Sequence, residues 1–201
     1  SIILFLSFLA LRKFEFFKYA LIGLVFFLSI QLWEKHQHNR QIKLIVYNVP
    51  KRSAYDLVAG EKNILIGDSL LLNDDKKLLF YIKPNWWKMS VDETMSLNSL
   101  VTGNPHFNKK IIQFHNKRMA FIDSSWYRAL RCKEKIKTDY LIISKNAVAN
   151  VEELLKYFDS DKIIIDSSNS SFKVKQLCRQ MNKLHISYYS VPDSGAFVTD
   201  I

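Results

Sequence analysis

Three aspartates that follow hydrophobic runs are the residues best placed to bind a metal ion. Asp68, Asp123 and Asp166 each come directly after a segment that is typical of a buried strand, and carboxylate oxygens are common ligands of divalent cations. Aspartate at the end of a strand also forms turns and caps helices. We favour this structural role because no histidine accompanies the three in the sequence. The alternative is a metal-dependent nuclease or other hydrolase that recruits them together with His106 and His115.

The sequence lacks the motifs of other enzyme classes. It contains neither a Gly-x-Ser-x-Gly elbow nor a glycine-rich phosphate loop. His36 and His38 have the spacing of a His-x-His pair, but Arg40 and Gln41 stand where an Asp and a His would complete a ligand set. Two cysteines are too few for a thiolate metal cluster, and one disulfide is as compatible with the sequence as two free thiols.

Positive charge is the clearest pointer to a partner. The chain has 29 Lys and Arg against 19 Asp and Glu, a net charge of +10 in 201 residues. A dense basic run lies beside aromatic residues, and cations attract phosphates while aromatic rings stack on unpaired bases. The residues that we single out as candidates for nucleic-acid binding are Trp126, Arg128, Arg131, Lys133, Lys135 and Lys137. The alternative is an ordinary solvated surface, or contact with anionic lipid headgroups.

The spacing of apolar residues predicts strands first and alternating strands and helices later. Short apolar runs predict strands at 42–47, 54–58, 63–67, 78–83, 111–114, 119–122, 140–143, 162–165, 186–191 and 196–199. Helical periodicity predicts helices at 151–158 and 172–184. This order is typical of a mixed α/β fold.

The first 33 residues are typical of a membrane region. Residues 14–33 form a run long enough for a transmembrane helix, and residues 1–11 are interpreted as the end of a truncated one. Residues 34–41 would be a juxtamembrane linker and residues 42–201 a separate domain. A secretory signal peptide fits poorly, because no small-residue cleavage site follows Trp33. Basic residues in the loop 12–18 favour the cytoplasm for that loop, which would place the domain on the extracytoplasmic side.

Four stretches of the chain occur in an order that resembles the ComEC family of competence proteins, which are polytopic DNA-uptake channels. These stretches are IVYNVP at 45–50, NILIGD at 63–68, TDYLIIS at 138–144 and SVPDSGAF at 190–197. The last is similar to the variant in Bacteroidetes-type members. Family members end in a metallo-β-lactamase-like domain, so the resemblance implies an α/β fold: a metallo-β-lactamase-like αβ/βα sandwich preceded by one or two transmembrane helices.

The same resemblance implies that the metal site is degenerate. Active members of the family carry a His-x-His-x-Asp-His motif between a buried strand and a helix. By register, this chain has Lys145, Ala147, Ala149 and Asn150 at the four ligand positions. Alanine has no donor atom, and an ammonium group repels a divalent cation. We therefore expect no catalytic residue, no metal site, no cofactor and no hydrolase activity.

The resulting hypothesis is the C-terminal part of a multi-pass protein of the plasma (inner) membrane that takes part in the uptake of transforming DNA. Its domain would be structural or would contact DNA. The expected partners are single-stranded DNA, membrane lipid and other competence proteins. A membrane-tethered interaction domain unrelated to DNA is the second alternative.

Overall fold

The computed structural model of the chain describes residues 14–95, 110–129 and 134–201. The chain divides into two compact units, with the boundary between Gln41 and Ile42. The first unit contains helix α1, Phe14–Arg40. Its segment Phe17–Arg40 is long and apolar enough to cross a membrane, by length and composition. Residues 34–40, which the sequence assigns to a linker, continue this helix, and the predicted segment 1–11 lies outside the described residues.

The second unit is a mixed α/β domain with two mixed five-stranded sheets. The strands are β1 Ile42–Val46, β2 Ala54–Ala59, β3 Lys62–Gly67, β4 Glu93–Met95, β5 Ile111–Phe114, β6 Lys117–Ile122, β7 Ile136–Ile143, β8 Phe158–Ile165, β9 Tyr188–Ser190 and β10 Phe197–Asp200. The first sheet has the order β10-β1-β2-β3-β4, and the second has the order β5-β6-β7-β8-β9. Strands β6 to β9 are parallel, which places their carboxyl ends at one edge of the sheet.

Seven helices of the described residues accompany these sheets. They are α2 Ser69–Leu72, α3 Asp75–Tyr81, α4 Lys83–Lys88, α5 Ser124–Ala129, α6 Val151–Tyr157, α7 Ser171–Lys183 and α8 Val191–Ser194. Helices α6 and α7 connect successive parallel strands of the second sheet, as such crossovers require.

Three hydrophobic clusters order the elements in layers. Because side chains alternate along a strand, Leu44 and Ile45 of β1 enter different clusters. The middle cluster joins residues of both sheets, such as Leu57 and Ile142. The two outer clusters lie under helices α2 to α4 on the first sheet and under α6 and α7 on the second. The domain is therefore layered as helices, sheet, sheet and helices.

The predicted strand at 78–83 is wrong, because this segment belongs to helices α3 and α4. The side chain of Asp74 caps α3 by accepting a hydrogen bond from the amide of Lys77 at 3.1 Å. Pro84 lies in the first turn of α4, where its missing N–H costs nothing. The apolar run Leu78 to Ile82 fits a strand and a helix equally well by pattern, and the two caps decide.

The C-terminal region differs from the sequence prediction in one detail. Val191, predicted as the last residue of a strand, begins the short helix α8. Pro192 lies in the first turn of α8 and supplies no amide for a sheet. The predicted helices 151–158 and 172–184 agree with α6 and α7 to within one residue at each end.

Candidate functional site

The loop 144–150 carries the four positions that the family resemblance assigns to metal ligands. It joins β7, the central strand of the second sheet, to helix α6. Lys145 and Asn146 adopt left-handed backbone conformations, with φ of 53° and 54°, so the chain turns sharply as it leaves the strand. Asn150 caps α6, since its Oδ1 accepts a hydrogen bond from the amide of Glu152 at 2.9 Å. The side chain at the fourth ligand position therefore stabilises the helix start.

Lys145 reaches across to the first sheet and pairs with Asp68. Its Nζ lies 2.6 Å from Oδ1 of Asp68, which directly follows β3. The other oxygen of Asp68, Oδ2, accepts a hydrogen bond from the amide of Ser53 at 3.0 Å. The Asp68 side chain is largely buried, so an ammonium group balances a carboxylate charge that solvent stabilises poorly. Lys145 thus supplies a positive charge at the position of the first family ligand.

A second lysine pairs with a second aspartate nearby. The ammonium group of Lys110 contacts Oδ2 of Asp123, which follows β6. Oδ1 of Asp123 accepts hydrogen bonds from the hydroxyl of Ser125 at 2.6 Å and from the amide of Trp126 at 3.0 Å. Partial burial opposes ionisation, but these hydrogen bonds and the charge of Lys110 outweigh it and lower the pKa of Asp123 to about 2. Asp123 is therefore a permanently ionised, fully partnered group.

Both Lys–Asp pairs line one pocket of about 150 Å³. Tyr55, Phe121 and Ser144 also line it. The hydroxyl of Ser144 donates to the carbonyl of Ile122 at 2.9 Å. That of Tyr55 donates to Oδ2 of Asp166 at 2.5 Å, and burial raises the pKa of Tyr55, which keeps it neutral. The Ser144 hydroxyl therefore faces a carbonyl oxygen, which does not act as a base. The Tyr55 hydroxyl faces a buried carboxylate that also accepts hydrogen bonds from Ser168 and Asn169.

The hydrogen bonds of Asp166 indicate a structural role for this residue. Its carboxylate is fully buried and accepts hydrogen bonds from Tyr55, from the hydroxyl and amide of Ser168 at 2.6 and 3.0 Å, and from Asn169. Burial raises the pKa of Asp166. Asn169 in turn donates to the carbonyl of Ile143 at 2.8 Å. These bonds tie the turn after β8 to the end of β7, which is the role that strand-end aspartates often have.

Of the ligand set considered for a metal-dependent hydrolase, Asp68 and Asp123 line one pocket, whereas His115 lies apart from them. His115 lies in the turn between β5 and β6, whereas Asp123 lies at the opposite end of β6. Six strand residues between them span about 20 Å. Within 14–95, 110–129 and 134–201, no group of three or more His, Cys, Asp and Glu side chains is placed to hold a metal ion. His106 lies outside the described residues.

The sequence-predicted nucleic-acid cluster is spread over several environments. The ring of Trp126 packs edge-on against Phe158, with 5.7 Å between the ring centroids, at the margin of the outer cluster. Arg128 is exposed and its Nε donates to the carbonyl of Ser124 at 2.9 Å. Lys135 and Lys137 are exposed. Arg131 and Lys133 lie outside the described residues.

A basic stripe on helix α7 was missed by sequence reasoning. Lys175, Arg179 and Lys183 are exposed and recur every four residues, so they lie in one row on the helix. Phe172 begins the same row and is 79% exposed. The helix contains no Asp or Glu, and no ion pair of the described residues involves these three cations. The sequence signal for this stripe is the repeat of basic residues at i, i+4 and i+8.

A comparison with protein families gives a match for this chain. The family model of the ComEC C-terminal domain matches residues 44–201. This range begins in β1 and ends at the last residue, so it includes both sheets, the loop 144–150 and helix α7. No curated protein and no solved structure matches the chain.

Proposed function

Because this chain belongs to the ComEC C-terminal domain family, we propose that it is part of a membrane protein for DNA uptake whose α/β domain contacts DNA without hydrolysing it. Membership in the family carries the link to DNA uptake. The basic stripe of α7 carries the proposed DNA contact. The Lys145–Asp68 ion pair carries the proposed loss of hydrolysis.

The domain is, in this proposal, a metallo-β-lactamase-like αβ/βα sandwich. The helix–sheet–sheet–helix layering supports this assignment, as does the position of the loop 144–150 after the central strand of the second sheet. Helix α1 would be the last transmembrane helix of a multi-pass inner-membrane protein, with the domain on the extracytoplasmic side. The length and composition of Phe17–Arg40 support the membrane crossing.

Loss of hydrolysis follows from what occupies the ligand positions. A catalytic metal needs donor atoms that converge on one point and an open position for water. Here one position holds an ammonium group that pairs with Asp68, two hold methyl groups, and Asn150 is used as a helix cap. Each of these roles is compatible with a stable fold, and none supplies a ligand.

Metal binding by the 201-residue chain in detergent micelles tests this part of the proposal. We expect no stoichiometric Zn²⁺ or Mn²⁺ after dialysis and no cleavage of single-stranded or double-stranded DNA with either metal. The matched control is the variant Lys145→His, Ala147→His, Ala149→Asp, Asn150→His, which restores the family motif and should bind Zn²⁺. One bound metal per wild-type chain, or metal-dependent cleavage by it, would defeat the proposal.

DNA contact is assigned to the exposed face of α7. Lys175, Arg179 and Lys183 form a row of cations spaced about 6 Å apart along the helix, and Phe172 offers an exposed ring at its start. A row of unpaired cations with an aromatic ring is the combination that binds single strands without sequence preference. Lys135 and Lys137 are a second, smaller group.

Salt-dependent binding of single-stranded DNA to the full chain tests this contact. The triple variant Lys175→Gln, Arg179→Gln, Lys183→Gln should weaken binding and reduce the slope of log K against log salt by about 2, because about 0.7 counterions are released per phosphate contact. The matched control, Lys51→Gln with Lys76→Gln and Lys88→Gln, removes three exposed charges away from α7 that take part in no ion pair of the described residues. Equal losses of DNA affinity in both triple variants would mean that binding depends on the net charge of the chain and not on the α7 stripe. A loss of DNA affinity in the double variant Lys135→Gln, Lys137→Gln, without a loss in the α7 variant, would place the DNA contact at the start of β7.

A further inference from the structure

Exposed apolar side chains are concentrated on three consecutive helices. Seven large hydrophobic side chains are exposed in the described part of Ile42–Ile201: Leu70, Leu72, Leu79, Phe80, Trp87, Phe172 and Val198. The first five belong to α2, α3 and α4, and we refer to them as the α2–α4 surface. Phe80 is 74% exposed and Trp87 is 67% exposed. Such concentration on one side of a domain indicates an interaction surface.

The helices that carry this surface are firmly attached to the first sheet. Leu71, Leu78 and Ile82 are buried in the outer cluster beneath them. The indole Nε1 of Trp86 donates a hydrogen bond to Oδ2 of the buried Asp56 at 2.6 Å. Leu70 stands beside the buried Leu71, and Phe80 and Trp87 stand beside Tyr81 and Trp86, which are partly buried against the same cluster. The outward direction of the apolar side chains is therefore fixed by the packing of their neighbours.

The charges among these apolar residues are mainly positive. Residues 69–88 contain four lysines and two aspartates, and one of the aspartates, Asp74, is paired with Lys77 at 2.6 Å. Lys76 and Lys88 are exposed and take part in no ion pair of the described residues. Leucine, phenylalanine and tryptophan flanked by lysine are typical of surfaces that insert into the headgroup region of a bilayer. The lysines complement anionic headgroups.

Chain connectivity keeps this domain beside a membrane. Helix α1 ends at Arg40 and β1 begins at Ile42, so a single residue connects them. This step rests on the proposed crossing of the membrane by α1. A tether this short gives the domain a high effective concentration at the bilayer, so that even weak lipid contacts are occupied.

We propose that the α2–α4 surface lies on the bilayer, with Phe80 and Trp87 in the headgroup region and Lys76 and Lys88 on anionic headgroups. The opposite outer layer, which carries the α7 stripe, then faces away from the lipid. The bilayer is thus a partner that orients the domain and leaves its basic helix accessible to a second, soluble partner.

Photo-crosslinking in nanodiscs tests this assignment on the full chain. The variant Phe80→p-benzoylphenylalanine is compared with Phe172→p-benzoylphenylalanine, since both phenylalanines are similarly exposed and lie on opposite outer layers. No DNA is present, so the result does not depend on the proposed DNA contact. We expect lipid adducts at position 80, several-fold more in discs of phosphatidylglycerol than of phosphatidylcholine, and little lipid adduct at position 172. Adding Lys76→Gln and Lys88→Gln should abolish the preference for phosphatidylglycerol.

Three crosslinking results would contradict the proposed bilayer contact. Adducts at position 80 with a second copy of the chain would make the surface a protein interface, and adducts with another segment of the same chain would make it an intramolecular contact. Equal lipid adducts at both positions would show general proximity to the bilayer without orientation. Each of these outcomes overturns the proposal.

Discussion

The two outer helical layers of the domain cover similar sheets by different means. Helix α7 is attached to the second sheet through the buried apolar residues Val174, Leu177 and Met181, and it exposes cations. Its Gln180 also exchanges hydrogen bonds with the backbone of Ala149 and Val151 at the start of α6. Helix α4 is attached partly through a buried polar group, since Trp86 donates to Asp56, and its layer exposes apolar side chains.

This difference shows that the inner and outer faces of a surface helix carry separate information. The inner face of each helix has to pack against its sheet without leaving a buried polar group unpaired. Both the apolar contacts of α7 and the Trp86–Asp56 hydrogen bond of α4 meet this requirement. Tyr47 and Asn63 also donate to the Asp56 carboxylate, at 3.0 and 2.8 Å, so the buried charge under the first layer is fully partnered. The residue types on the outer face are not constrained by the sheet, and it is on this face that the two layers differ most: α7 exposes cations, and α2 to α4 expose apolar side chains.

The largest expected effect concerns the apolar attachment of α7. Leu177→Ala removes a fully buried side chain from the outer cluster and should lower the free energy of unfolding by about 2–5 kcal/mol. Leu79→Ala, the matched change on the exposed side of α3, should change it by about 0.5 kcal/mol or less in detergent. Urea denaturation of the full chain in micelles, followed by circular dichroism, measures both. Similar losses would mean that the α2–α4 surface is packed against another part of the chain.

The polar attachment of α4 should make stability depend on pH. Burial raises the pKa of Asp56 from 3.8 to about 6, although hydrogen bonds from Asn63, Trp86 and Tyr47 oppose this. The folded state therefore holds a proton that the unfolded chain has already released, so this group stabilises the fold at low pH, and that contribution is lost as pH rises from about 4 to 6. The loss amounts to about 3 kcal/mol at most.

Comparison with Asp56→Asn isolates this contribution, because the variant cannot titrate at position 56. The difference in unfolding free energy between wild type and variant should fall as the pH rises through that window and then stay constant. A difference independent of pH would contradict the raised pKa, whatever the absolute stabilities are. Matched measurements on Asp139→Asn, whose pKa is lowered by hydrogen bonds and by Lys117 despite partial burial, should give the opposite slope at lower pH.

The smallest expected effect tests whether the two outer layers bind different partners, DNA at α7 and lipid at the α2–α4 surface. Phe172→Ala should weaken binding of single-stranded DNA by about 1 kcal/mol if a base stacks on this ring, and should leave the lipid contact unchanged. Phe80→Ala should do the reverse. Fluorescence anisotropy with labelled single strands and crosslinking to lipid measure the two effects. If both substitutions weaken the same interaction, the division of partners between the layers is incorrect.

Much of the second sheet was predictable because buried parallel strands are continuous apolar runs. The runs 140–143 and 162–165 therefore identify the central strands, although β7 and β8 begin earlier, at residues with polar neighbours. In the first sheet, β1, β2, β3 and β10 were predicted in the same way, and β4 was not. The error lies in the helical layer that covers this sheet. Leu78 to Ile82 forms a run of the same kind, yet Asp74 and Pro84 make it part of two helices. Caps act through single residues, which an analysis of apolar periodicity does not weigh.

The candidate site also has features that were predictable from the sequence and features that were not. The assignment of four residues of the loop 144–150 to the ligand positions rests on the order of the motifs in the sequence and stays a prediction. The sequence also placed Asp68 and Asp123 at strand ends. The exposure of the basic stripe of α7 and the packing of Trp126 against Phe158 are tertiary features, because both depend on which side of a helix meets the sheet.

The amino-acid sequence by itself determined most of the apolar strands and the apolar segment before the domain. Only the tertiary structure decided that Lys145 pairs with Asp68 and Lys110 with Asp123. In the Lys145–Asp68 pair the partners are distant in the chain and come from different sheets, so they meet only when the sheets pack face to face. The physical reason is that local pattern fixes the period of an element, whereas a salt bridge depends on where the ends of two elements lie in space.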